Sequence, residues 1–165
     1  MWSSSAYIEK GHKPIPLFTE IGFTPKKMIF SCIDGRVNPE ELLGLTDADA
    51  VIVRTASGTP ARNLSDVAAI DNLTKLTELI VIKHTDCGAV YMTDNQIRAH
   101  IRTHNPDIDN QVLNSVVLGT THDIVERTRK DVELIRNSPI IRKELRETAS
   151  GLLFDITTGK LTKIM

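Results

Sequence analysis

From Lys27 onward, short runs of β-branched and aliphatic residues alternate with longer stretches whose apolar positions recur every three or four residues. A parallel sheet covered by helices demands this rhythm, because its strands are buried on both faces and its crossovers are helical. The expected fold class is α/β: a mostly parallel β-sheet of four to five strands flanked by helices, with an extra strand at the C-terminus. Met28-Ile29-Phe30, Ala50 to Arg54, Leu79 to Lys83 and Val112 to Leu118 read as the first strands. Between the second and third, Leu64, Val67, Ala68, Ile70, Leu73 and Leu76 fall at helical spacing, so Asn63 to Leu76 reads as a crossover helix. Asn38-Pro39-Glu40-Glu41 opens a short helix that Gly44 ends: Asn caps, Pro is preset for the first turn, and the carboxylates favour the positive end of the dipole. Ile124 to Ile135 reads as a charged surface helix, and Ser138-Pro139 restarts another through Leu145. Gly151 to Ile156, a Gly turn at Thr157-Thr158-Gly159-Lys160, and Leu161 to Met165 close the sheet.

Residues 1–25 are polar and punctuated by Gly and Pro, which marks an N-terminal arm or helix ahead of one packed domain, 26–165. Lys and Arg number 20 against 21 Asp and Glu, with the signs interspersed, so no basic stripe is available to follow a phosphate backbone. Nucleic acid is not an expected partner; a small molecule is. The longest aliphatic runs, Ala50-Val51-Ile52-Val53 and Leu79-Ile80-Val81-Ile82, fall far below the roughly 20 residues of a membrane-spanning helix. No membrane association is expected, and with no targeting pattern at the N-terminus the expected location is cytoplasmic.

Composition leaves the 2 cysteines open as core residues, a redox pair or metal ligands. Their neighbours are more informative. Cys32 follows the first strand, and His84 and Cys87 follow the third, at the edge where open α/β sheets bind ligands. The run His84-Thr85-Asp86-Cys87 is short enough for one turn to aim an imidazole and a thiolate at the same point. Two sulfurs and one nitrogen suit Zn2+, and three protein ligands rather than four leave a position open, as in catalytic sites. Within Cys32-Ile33-Asp34-Gly35-Arg36, Asp34 and Arg36 stand two apart and can form a charge-assisted pair that keeps the carboxylate ionised and aimed beside the metal.

These residues resemble the paired CxDxR and HxxC motifs of the β-class carbonic anhydrases. The similarity continues through Val37-Asn38-Pro39-Glu40, Gly44-Leu45, His84 to Thr93 and the closing GLLFDITTGKL, so it runs from about Pro25 to the end. The resemblance implies a zinc enzyme interconverting carbon dioxide and bicarbonate, a lyase with Cys32, His84 and Cys87 as ligands. It implies that Asp34 orients the nucleophile while Arg36 keeps Asp34 off the metal. It also implies a homodimer or higher even oligomer. Two thiolates and an imidazole leave the zinc site formally neutral, so its acidifying power is expected to be weaker than that of an all-histidine site.

Departures from the family pattern bear on substrate choice. Arg54-Thr55-Ala56-Ser57-Gly58 stands where the family usually reads RNAGG, and Phe23 occupies a position where many plant-type members carry Gln. Phe23, Ser57, Gly58 and Gly88 are the expected pocket residues. A drier pocket suits carbonyl sulfide or carbon disulfide, whose hydrolysis is the alternative activity. A third reading is a catalytically weak zinc-binding member in which Asp34 closes the metal.

Overall fold

The structure is a computed structural model that describes residues 5–12, 14, 17, 20, 22, 25–46 and 48–165. A short helix, α1 (Ser5–Glu9), precedes β1 (Lys27–Cys32), α2 (Pro39–Leu43) and β2 (Ala50–Thr55). Two 3₁₀ turns, Ala56–Gly58 and Pro60–Arg62, lead into α3 (Leu64–Thr74) and β3 (Glu78–His84). A third such turn, Gly88–Val90, leads to α4 (Asp94–His104), α5 (Asn110–Ser115), α6 (Ile124–Arg136), α7 (Lys143–Arg146), β4 (Ser150–Phe154) and β5 (Leu161–Lys163).

The five strands form one sheet in the order β2-β1-β3-β4-β5, parallel throughout except for the antiparallel β4–β5 pair. This is the mostly parallel α/β sheet with a C-terminal extra strand that the sequence predicts. Alternation along the strands divides the core. Met28, Phe30, Leu79 and Val81 pack with Val67, Val132, Ile135 and Leu145 on one face. Ile29, Ile80 and Ile82 pack with Val37 and Phe154 on the other. Because β1, β2 and β3 run in one direction, Cys32, Thr55 and His84 finish at the same edge; Cys32 lies opposite Thr55 in register, and His84 opposite Phe154.

Local chemistry fixes the helix ends nearest that edge. Asn38 accepts from the Glu40 N–H at the start of α2, and Gly44 ends it in the left-handed conformation at φ 62°. Thr93 and Gln96 form a reciprocal capping box at the start of α4.

Val112 to Leu118 is not a strand. Asp109 accepts from the Gln111 and Val112 N–H groups and nucleates α5, while Arg98 takes the freed Leu113 and Val116 carbonyls at the other end. Only Leu113 of its apolar residues is buried, so the segment lacks the two-sided burial of a central strand, and Ser150–Phe154 occupies the place beside β3 instead. The crossover helix ends at Thr74 because Lys75 turns left-handed at φ 56°; Leu76 lies beyond it, fully buried. Ser138-Pro139 begins a turn, and the helix that follows covers only Lys143–Arg146. Among the described residues no helix is long and apolar enough to cross a membrane.

Candidate metal centre

The sheet edge brings three ligand-type side chains together. One donor atom from each of Cys32, His84 and Cys87 lies within 4.8 Å of the others, and all three residues are buried. His84 is the last residue of β3 rather than part of the following loop, so its imidazole is held by the strand ladder. Cys87 follows after a tight turn in which Asp86 adopts φ 53°.

A metal ion fits this group on three counts. The two sulfurs stand 3.9 Å apart. That is far beyond a disulfide, and close to the roughly 3.8 Å edge spanned by two sulfurs at about 2.3 Å from a tetrahedral ion. His84 Nδ1 lies 2.8 Å from the Thr85 carbonyl, so an Nδ1–H donates there and the Nε2 lone pair faces inward. That Nε2 is buried and has no hydrogen-bond partner. Finally, the Cys32 and Cys87 sulfurs hydrogen-bond one another, which pushes the Cys32 thiol well below the ordinary value and, together with burial, pushes Cys87 well above it. One sulfur ionises readily; a second negative sulfur beside it needs a cation.

Asp34 and Arg36 flank the group. Arg36 donates from Nε and Nη2 to both Asp34 oxygens at 2.7–3.2 Å, and its backbone N–H donates to Asp34 Oδ1 at 2.9 Å. These hydrogen bonds hold the Asp34 carboxyl well below the usual carboxylate range. Asp34 Oδ2 is 3.9 Å from His84 Nε2, so the carboxylate sits beside the ligand cluster. Arg36 is half exposed, so the pair adds little stability; what it fixes is orientation.

Two supports were not legible as such in the sequence. Arg36 Nη1 also donates to Asp86 Oδ2 at 2.8 Å and Nη2 to the Asp86 carbonyl at 3.0 Å, which ties the first motif to the second. Asp86 in turn accepts from the Tyr91 hydroxyl at 2.6 Å. Arg54 donates to the carbonyls of Cys32, Asp34 and Val37 and so pins the loop that carries the pair. The available signal was Asp86's place inside the HxxC turn.

A cavity of about 280 Å³ opens on the cluster, with Cys32, Asp34 and Cys87 in its wall. Most of its surface is apolar, from Ile33, Ala56, Met92, Ile97 and Leu118. Ser57 and Gly88 line it, and a Cβ on Gly88 would meet nothing within 4 Å. Gly58 lies behind the wall: a Cβ there would sit 2.9 Å from the Cys32 nitrogen. Phe23 lies outside the described residues. Ser57 Oγ is buried without a hydrogen-bond partner and is packed against Gly119, whose missing side chain gives it room.

The family model described as carbonic anhydrase matches residues 27–161. Carbon disulfide hydrolase from Saccharolobus solfataricus is 30% identical over 156 residues, covering 82% of this chain and 75% of that protein. Beta-carbonic anhydrase 1 from Mycobacterium tuberculosis is 26% identical over 163 residues, covering 94% and 88%. Among solved structures, the carbonic anhydrase of Streptococcus mutans superposes with a TM-score of 0.77 at 26% identity, over 98% of this chain and 93% of that one.

Proposed function

The chain belongs to the β-class carbonic anhydrase family, and from that premise we propose that it is a zinc enzyme catalysing the reversible hydration of carbon dioxide to bicarbonate and a proton. Cys32, His84 and Cys87 would hold the metal. The observation that carries the reading is the convergence of these three buried donors, one of them an otherwise unpartnered imidazole nitrogen, against the wall of an apolar cavity that also holds an ionised carboxylate. Zinc bound there would acidify water and so supply a nucleophile near neutral pH.

The chain's own residues do the rest. Asp34, kept ionised by Arg36, accepts a hydrogen bond from the attacking water and turns its lone pair toward the substrate carbon. Arg36, anchored on Asp86, holds that carboxylate in place and away from the ligand set. Ile33, Ala56, Met92, Ile97 and Leu118 give a neutral linear molecule an apolar berth. Ser57, Gly58 and Gly88 shape the side of that berth next to the ligands. A homodimer or higher even oligomer belongs to the same reading: Ile33 and Met92 of the cavity wall are exposed, as is Tyr91, and β2 is an edge strand with half-buried Val51, Ile52 and Val53.

Hydrolysis of carbon disulfide or carbonyl sulfide is a second reading, favoured by the apolar cavity wall and by the 30% identity to a carbon disulfide hydrolase. One preparation of zinc-loaded protein separates the two. Stopped-flow hydration of carbon dioxide is expected to show the higher kcat/KM. Sulfide release without carbon dioxide turnover would move the assignment to the second reading, and turnover of neither substrate would refute both.

A further inference from the structure

The mechanism above leaves unused a set of charged groups buried directly behind the cavity wall. Lys83, the residue before His84, is 1% exposed, and its Nζ lies 2.5 Å from Asp131 Oδ2 on α6. The same Nζ donates to the Ser57 carbonyl at 2.6 Å. Asp131 Oδ1 accepts from Arg127 Nη2 at 2.9 Å and from Thr59 Oγ1 at 3.1 Å, and Arg127 Nη2 also reaches Thr59 Oγ1 at 2.9 Å. Two cations and one carboxylate therefore grip a three-residue segment, Ser57 to Thr59, from beneath.

That segment is under conformational demand. Ser57 is a non-glycine residue at φ 63°, and Gly58 follows at φ 66° so close to the Ser31–Cys32 peptide that an added Cβ would lie 2.9 Å from it. The backbone of a ligand residue and one wall of the cavity thus lean on the same turn. Desolvation offsets much of the attraction in a buried ion pair, so the network is a poor source of stability, whereas a fixed position for the Ser57 carbonyl is something only a directed donor supplies.

We propose that Lys83, Asp131 and Arg127 are positioning residues for the metal centre, acting through the Ser57–Thr59 turn to hold Cys32 and the cavity wall in register. Only the turnover arm of the test rests on the function proposed above.

Lys83→Met keeps an unbranched side chain and removes the donor. Arg127→Gln alters the network at its less buried end and is the variant expected to fold if the first does not. Both are compared with the parent as zinc-loaded protein by hydrogen–deuterium exchange, by zinc affinity in competition with a chromophoric chelator, and by kcat/KM. For Lys83→Met, zinc affinity should fall about tenfold or more, the loss typical of outer-shell partners. Exchange should quicken at Ser57–Thr59 and Cys32 while β5, at the far edge of the sheet, keeps its protection, and kcat/KM should fall. Arg127→Gln should show the same pattern at smaller amplitude. A uniform rise in exchange across the chain with zinc affinity unchanged would mark the network as merely structural and overturn the proposal. So would parent-like behaviour of Arg127→Gln where Lys83→Met fails to fold. If the parent itself turns over neither carbon dioxide nor carbon disulfide, the proposed function fails, while exchange and zinc affinity still decide the role of the network.

Discussion

Replacing Gly58 by Ala tests how closely the cavity wall is built against the ligand strand. A Cβ at this position would meet the Cys32 nitrogen and the Ser31 carbonyl carbon, each at 2.9 Å, and the Ile82 carbonyl oxygen at 3.3 Å. All three are backbone atoms of central strands and cannot rotate away. Gly58 also lies at φ 66°, where an L side chain costs about 1–2 kcal/mol. Overpacking against fixed atoms adds about 1–3 kcal/mol. The expected loss is therefore about 2–5 kcal/mol, or about 4–20 °C in Tm for a domain of this size. Gly44 provides the control, since it has nearly the same φ, 62°, and a Cβ there meets nothing within 4 Å. Gly44→Ala should lose only the conformational share, about 1–2 kcal/mol. Urea unfolding of both variants, with zinc affinity measured alongside, isolates the close-approach contribution. Zinc binding should weaken in Gly58→Ala and not in Gly44→Ala. Equal destabilisation of the two variants with parent-like zinc affinity would refute the claim that this turn bears on Cys32.

Other consequences follow from the same geometry. Asp34→Asn should retain zinc at parent stoichiometry and lose at least about 100-fold in kcat, the scale of a positioned proton acceptor; unchanged stopped-flow turnover would remove Asp34 from the mechanism. The 2 cysteines should resist a thiol reagent in zinc-loaded protein and both react after chelation, because the thiolates are then released from the metal; full reactivity before chelation would contradict their assignment. Asp155 has its pKa lowered from the ordinary 3.8 by the Thr157 hydroxyl and backbone N–H. Its contribution is complete above that value and is lost as pH falls through the depressed folded value, so Asp155→Asn should flatten the fall of unfolding free energy below about pH 4. An unaltered acid limb would show that this turn does not couple to folding.

The parallel sheet was legible because Met28–Phe30 of β1 and Leu79–Ile82 of β3 are buried on both faces and read as unbroken apolar runs. Val112 to Leu118 carries a similar apolar content, and its outcome was decided by groups the run does not contain, the Asp109 cap and the guanidinium of Arg98, 15 residues from the Leu113 carbonyl it bonds. The ligand cluster was legible for a different reason. Its residues sit where strands end, and parallel strands of matched register carry their ends to one edge. Asp86, Arg54 and Asp131 were not legible as supports, since each acts through a partner remote in sequence whose identity depends on register and helix placement. Lys83 carried a partial signal: a lysine directly after the apolar run Leu79–Ile82 implies a buried counter-charge, and nothing in the local text says that α6 supplies it.

X-ray absorption at the zinc edge, with metal quantified on the same sample, reads whether zinc is held by two cysteine sulfurs and one histidine nitrogen. The expected result is about one zinc per chain with two sulfurs near 2.3 Å and one imidazole nitrogen near 2.0 Å. Folded protein that carries no stoichiometric zinc, or zinc whose inner sphere contains no sulfur, would contradict it.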